Sequence, residues 1–242
     1  MKIDVAKVNP NYLKKILSQR YLYPLIYGVL IQALRPDEIG KVSIKFALDL
    51  VKKNFNPKNK VFYINVFTPT EIFFPLGVFP ILPEVVSGVT ANFGISDAIL
   101  SESDEIVFSK DVCSVHRNLL GLIKMGFLPN PDYILTLDKP CHSAVHSFYL
   151  ISKFYGGDYH IIDIPEEESE KNIEYVAKKL EETFIFFSKE LKVKNPYKKL
   201  NEAIDLSNET RKYLIEINEI RKKKVVIDGK NFLGYLGMIF SA

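Results

Sequence analysis

Cys113 and Cys141 are the two cysteines of this 242-residue chain. A thiolate is a nucleophile, a redox group and a soft ligand for zinc or iron–sulfur centres, so two thiols at one place define a metal or redox site. Each cysteine follows a segment that reads as a buried strand and precedes an amphipathic stretch of helical period. In a parallel α/β sheet such positions converge on the crevice beyond the carboxyl ends of the strands, where ligands bind. Free cysteine is also among the most buried residue types and often packs as a small hydrophobe. The neighbours weigh against that use. Cys113 lies in Ser109-Lys110-Asp111-Val112-Cys113-Ser114-Val115-His116-Arg117, and Cys141 in Leu137-Asp138-Lys139-Pro140-Cys141-His142-Ser143, both polar turns.

Two histidines stand close to these thiols in sequence. His116 and His142 would complete a four-ligand set with Cys113 and Cys141, so a zinc site is one alternative. Against it, neither cysteine belongs to a C-x-x-C or H-x-x-x-H knuckle with its partner. His142 and His146 share the interval of a helical chelate, yet Phe148 and Tyr149 beside them suggest a core-facing helix. Gly156-Gly157-Asp158 reads as a helix stop, and no G-x-G-x-x-G follows any strand.

Composition narrows the class of protein. The hydrophobic fraction of 47% and the charged fraction of 25% are those of an ordinary globular chain. The 32 basic and 29 acidic residues leave a net charge of only +3, and the one tight basic run, Arg221-Lys222-Lys223-Lys224, reads as a solvated helix end rather than a nucleic-acid patch. No segment reaches the roughly 18 consecutive apolar residues of a membrane span. Met1-Lys2-Ile3-Asp4 lacks the apolar core of a signal peptide. These features predict a cytoplasmic protein that binds neither membrane nor nucleic acid, with thiols kept reduced. The 17 Phe and 13 Tyr, without Trp, read as core.

The elements that must position the cysteines follow from periodicity. Residues 1–58 read as a helical N-terminal region: a helix capped by Asn11 and running to Arg20, a second over 23–34, and a third opened by Pro36-Asp37-Glu38. Residues 59–165 read as a Rossmann-like α/β domain. Its strands are expected at 60–67, 97–100, 105–108, 133–137 and 160–164, and its helices at 82–93, 113–125 and 142–154, with Gly94 as a left-handed cap. Strands alternating with helices predict a parallel sheet flanked by helices. Residues 166–242 read as long helices, to about 191 and from 195 to about 222, leading through the apolar stretch 231–240 toward an incomplete second domain.

Five segments in consistent order carry a resemblance. Val66-Phe67-Thr68-Pro69-Thr70-Glu71-Ile72, followed by Gly77 and Pro80, resembles a strand feeding a T-P-x-E-I turn. Cys113-Ser114-Val115-His116-Arg117 is similar to a C-S-x-x-R cluster-ligand motif, and residues 132–141 to a second ligand strand ended by cysteine. Asp163-Ile164-Pro165 matches a D-x-P turn, and residues 203–211 match an A-I-x-x-x-N-x-x-R helix. Together they resemble the 2-hydroxyacyl-CoA dehydratase and benzoyl-CoA reductase family. That resemblance implies an iron–sulfur lyase subunit of anaerobic metabolism. It would eliminate water from a 2-hydroxyacyl-CoA through a ketyl radical, after an ATP-dependent iron–sulfur activator protein delivers one electron. It further implies a [4Fe-4S] cluster held by Cys113 and Cys141, and a partner in the form of a second dehydratase-like subunit or a second copy of the chain. Glu71 would serve as general base near the acyl-CoA, and Arg117 or nearby backbone amides would stabilise negative charge. The alternative reading of Glu71 is a first-turn helix carboxylate.

The family generally supplies three cysteines per cluster, and none follows Cys141 here. The remaining ligands would come from another chain, or the polypeptide is a truncated, non-catalytic homologue or assembly subunit without a stable cluster. An acyl-CoA reductase or a double-cubane cluster protein is a further alternative within the family.

Overall fold

The computed structural model describes residues 9–17, 19, 22–34, 38–92, 94–106 and 109–225. In chain order the elements are α1 (Pro10–Leu17), α2 (Tyr23–Leu34), α3 (Glu38–Asn54), β1 (Phe62–Ile64), α4 (Pro83–Asn92), α5 (Ser96–Ser103), α6 (Ser114–Lys124), β2 (Tyr133–Leu137), α7 (His142–Tyr155), β3 (Asp158–Ile162), α8 (Glu170–Glu190) and α9 (Pro196–Arg221). Two single-turn 3-10 helices, Thr70–Ile72 and Phe74–Leu76, lie between β1 and α4. The sequence readings that fall on Arg20, Pro36, Asp37, Phe93, residues 107–108 and the apolar stretch 231–240 lie outside the described residues. Among the described residues no helix is long and apolar enough to cross a membrane.

Contacts divide the described residues into two compact units. One falls within Met1–Arg35, Ile44–Thr68 and Phe79–Glu166, the other within Pro36–Ser43, Pro69–Val78 and Glu167–Ala242.

The first unit is α/β, with a parallel sheet in the order β1-β2-β3. Phe62 pairs with Tyr133 and Ile64 with Leu135, while Tyr133 pairs with Asp158 and Leu137 with Ile162. Ile81 adds an isolated parallel bridge beside Tyr63, with its N–H donating to the Phe62 carbonyl at 2.8 Å. Parallel neighbours require a crossover, supplied by α4, α5 and α6 between β1 and β2 and by α7 between β2 and β3. Tyr63 and Ile134 meet Ile99, Leu119, Leu120, Ile123, Phe148 and Ile151 in one core, and Phe62, Ile64 and Leu135 are fully buried as well. Burial on both faces is why these strands read as continuous apolar runs rather than alternating ones.

The structure corrects several sequence readings. Residues 97–100 are not a strand but the middle of α5, and residues 105–106 lie in the turn after it. The short Ala98-Ile99-Leu100 run fits either period, and packing decides: Ile99 is fully buried against α6 at Gly121. Cys113 therefore follows a turn rather than a strand, whereas Cys141 does follow β2. The cap of α1 is Asn9 rather than Asn11. Its Oδ1 accepts from the N–H groups of Asn11 at 3.0 Å and Tyr12 at 3.3 Å, with Pro10 in the first helical position, where no N–H is needed. The third strand begins at Asp158, two residues before the expected start, and β1 is only three residues long. Gly94 caps α4 as expected, with φ of 66°.

The second unit is helical. Phe73, Leu76, Phe184 and Phe187 are buried in it, with the Phe73 and Phe187 rings 6.1 Å apart, and α9 packs on the two 3-10 turns. No residue of α9 is fully buried, and Leu206, Tyr213, Ile215 and Ile220 are exposed.

The α5–α6 contact is close enough to test. A Cβ at Gly121 would fall 2.0 Å from the Ile99 backbone carbonyl, so Gly121→Ala must push the two helices apart. Overpacking of this kind costs about 1–3 kcal/mol. Thermal unfolding should show a melting temperature lowered by several degrees, and an unchanged value would contradict this packing.

Candidate functional site

At the carboxyl end of the sheet β1 stops because Asn65 replaces its ladder with a side chain. Asn65 is fully buried. Its Nδ2 donates to the Leu137 carbonyl at 3.0 Å and its Oδ1 accepts from the Leu137 N–H at 3.1 Å, as a backbone pair would. Thr68 Oγ1 also donates to Asn65 Oδ1, and the Thr68 N–H donates to the Asn65 carbonyl at 2.9 Å. The amide thus keeps β1 on β2 while the chain turns away. On the next strand, Asp138 Oδ1 accepts from the Ile164 N–H at 2.7 Å and holds the loop that leads to Cys141.

Helices that cross back in a parallel sheet start at this same edge. Cys113 is the N-cap of α6 and Cys141 the N-cap of α7, and the two helices pack together. Neither sulfur accepts a bond from the N–H groups of its own helix. The partial positive charge of each helix start therefore acts on a sulfur that its own helix leaves uncapped. Cys113 is exposed and Cys141 half-buried. The second and third turns of α4 pack on α6, since Ser87 Oγ donates to the Val115 carbonyl at 2.9 Å and Thr90 Oγ1 donates to Asn118 Oδ1 at 2.9 Å.

His116, in the first turn of α6, is only 3% exposed, and its Nε2 lies 3.5 Å from Cys141 Sγ. Burial holds its pKa below the ordinary imidazole value. Nδ1 is enclosed without a partner. A proton on Nδ1 would leave a buried donor unpaired, at a cost of about 1–3 kcal/mol, whereas on Nε2 it meets the sulfur.

Glu84 is a group that the sequence reading missed. It occupies the first turn of α4, where Oε1 accepts from the Val66 N–H at 3.4 Å and Oε2 is enclosed without a partner. Burial pushes its pKa up to about 7, against which the Val66 N–H works. Pro83-Glu84 at the head of an apolar helix was the available signal. First-turn glutamates are usually solvated, which is why it did not stand out.

The residues named from sequence are placed as follows. The Arg117 guanidinium is largely buried and paired with Asp104, at the end of α5, and so ties α6 to α5. Glu71 lies in the second unit, on the turn Thr70–Ile72, where Ser207 Oγ of α9 donates to its Oε1 at 2.7 Å. His142 and His146 are exposed. Among the described residues no three His, Cys, Asp or Glu side chains stand close enough together to hold a metal ion. The four-residue zinc set is therefore not assembled. For an iron–sulfur cluster the donor chemistry fits, with two uncapped sulfurs at helix starts, but the described residues offer two thiolates where a four-iron cluster takes four ligands.

A family model described as 2-hydroxyglutaryl-CoA dehydratase, D-component, matches residues 65–242, which include β1's exit, both cysteines, His116 and Glu84. The chain belongs to this dehydratase family. The (R)-phenyllactyl-CoA dehydratase alpha subunit of Clostridium sporogenes is 24% identical to it over 165 residues, or 64% of this chain. The chain spans 40% of the length of that curated relative.

Glu84 makes stability depend on pH with a definite sign. Its folded pKa of about 7 lies above the ordinary carboxylate value of 4.5. Below pH 4.5 the group is protonated in both folded and unfolded chains and has no effect. Between 4.5 and 7 the unfolded chain releases its proton first, so stability falls as pH rises, by about 3 kcal/mol in all. Glu84→Gln keeps the Val66 acceptor and removes the charge. Denaturant unfolding should find this variant more stable than the parent at pH 8 and similar at pH 4.5. An equal difference at both values would contradict the assignment.

Proposed function

We propose that this chain is a component of a 2-hydroxyacyl-CoA dehydratase in which Cys113 and Cys141 give two ligands to an iron–sulfur cluster completed by groups outside the described residues. What supports this reading most is a single observation: in a chain of the dehydratase family, the two cysteines head two packed helices at one edge of a parallel sheet. When bound, such a cluster supplies one-electron transfer and a Lewis acid toward the oxygen of a thioester substrate.

The remaining roles belong to the chain's own side chains. Glu71, held by Ser207, acts as the base near the acyl-CoA. The first-turn N–H groups of α6 and α7 stabilise negative charge, while Arg117 is occupied by Asp104 and serves by fixing α6. A second subunit completes the assembly. The Clostridium relative is by name an alpha subunit, and exposed Leu206, Tyr213 and Ile220, seven residues apart on one face of α9, offer an apolar stripe of the kind that partners cover. An ATP-dependent activator protein supplies the electron.

The test is co-expression with the adjacent reading frames, strictly anaerobic purification, and iron and acid-labile sulfide analysis. The proposal predicts a brown complex with stoichiometric iron that is lost in Cys113→Ser and in Cys141→Ser. A folded, colourless complex under those conditions would favour the non-catalytic homologue instead.

A further inference from the structure

Among the described residues, one side chain, His116, stands within hydrogen-bonding distance of the Cys141 sulfur. We infer that His116 is a positioning residue that donates its Nε2–H to the Cys141 sulfur and is not itself a metal ligand. The inference deepens the proposed cluster reading and rests on it only for the redox consequence drawn below.

Three observations carry it. The Nε2–Sγ separation of 3.5 Å is that of an N–H···S hydrogen bond. The other ring nitrogen, Nδ1, is enclosed and unpartnered. A metal-ligating histidine almost always passes its second ring N–H to an acceptor that fixes its tautomer, and here no such acceptor is present among the described residues. The same fact locates the proton. The neutral Nε2–H tautomer places its proton opposite sulfur and leaves Nδ1 bare, and the Nδ1–H tautomer does the reverse. That tautomer would bury an unpaired donor. Finally, the ring is rigidly mounted. His116 is 3% exposed, and its backbone N–H donates to the Cys113 carbonyl at 3.0 Å. One residue is thereby bonded to the backbone of one cysteine and to the sulfur of the other.

A donor on a ligating sulfur draws electron density from it and makes the centre easier to reduce, since hydrogen bonds to sulfur are among the levers that set cluster potentials. His116 thus favours acceptance of the low-potential electron while it keeps Cys141 in one orientation.

Nitrogen-15 NMR of the histidine-labelled apo-protein, which has four histidines, reads the tautomer without any cluster. His116→Gln, whose amide nitrogen can replace Nε2, and His116→Phe, which has no donor, complete the set. The inference predicts a protonated Nε2 for His116 and a shift of that resonance in Cys141→Ala. In the reconstituted protein, an EPR-monitored redox titration should give a lower midpoint potential in His116→Phe and a near-parental one in His116→Gln. A proton on Nδ1, or a His116 signal indifferent to Cys141→Ala, would overturn the inference whether or not iron binds. If no iron binds and the NMR pattern still holds, the cluster reading fails and the hydrogen bond stands. Equal potentials in all three proteins would remove the redox role.

Discussion

Parallel pairing of β1, β2 and β3 is the constraint from which the rest of the first unit follows. Each strand must be reached by a crossover from the far edge, so α4 and α7 begin where strands end, and α6, which leads the chain back to β2, starts beside α7 with His116 against Cys141. Whatever residue caps such a helix is delivered to the carboxyl edge of the sheet. Here the caps of α6 and α7 are cysteines, and the first turns of α4 and α6 carry Glu84 and His116. Asn65 makes this edge possible, because its amide continues the β1–β2 ladder after the backbone has turned away.

The same edge carries polar atoms that the protein's interior leaves unmatched. Glu84 Oε2 and His116 Nδ1 are enclosed without partners among the described residues. Buried polar groups are normally satisfied, and exceptions tend to mark places where function overrides stability. Their grouping on α4 and α6 contrasts with the apolar interdigitation of Leu119, Leu120 and Ile123 one or two turns further along α6, where the helix does purely structural work.

Much of this was legible in the sequence. The run 133–137 matches β2 residue for residue, because its shortness and its aromatic and β-branched residues favour a strand, and 23–34 matches α2, whose length favours a helix. The cysteines stood out through their polar surroundings. What could not be read was anything set by long-range contact. The Ala98-Ile99-Leu100 run is helical because Gly121 lets Ile99 approach α6, a fact written more than twenty residues away. Asn65 and Glu84 look like ordinary turn and first-turn residues until Leu137 and Val66 are brought to them. Arg117 was expected, with nearby backbone amides, to stabilise negative charge, and its Asp104 partner lies in a segment expected to be near a strand rather than at the end of α5.

The account depends on Cys113 and Cys141 presenting their sulfurs to a common centre. Because the chain has no other thiol, a trivalent arsenical that is retained only when two thiolates bridge it reports that convergence directly, without iron or a partner. The account predicts one equivalent captured per folded chain, resistant to a monothiol competitor and lost when either cysteine is replaced by serine. Two thiols that alkylate independently and fail to retain the arsenical would contradict it.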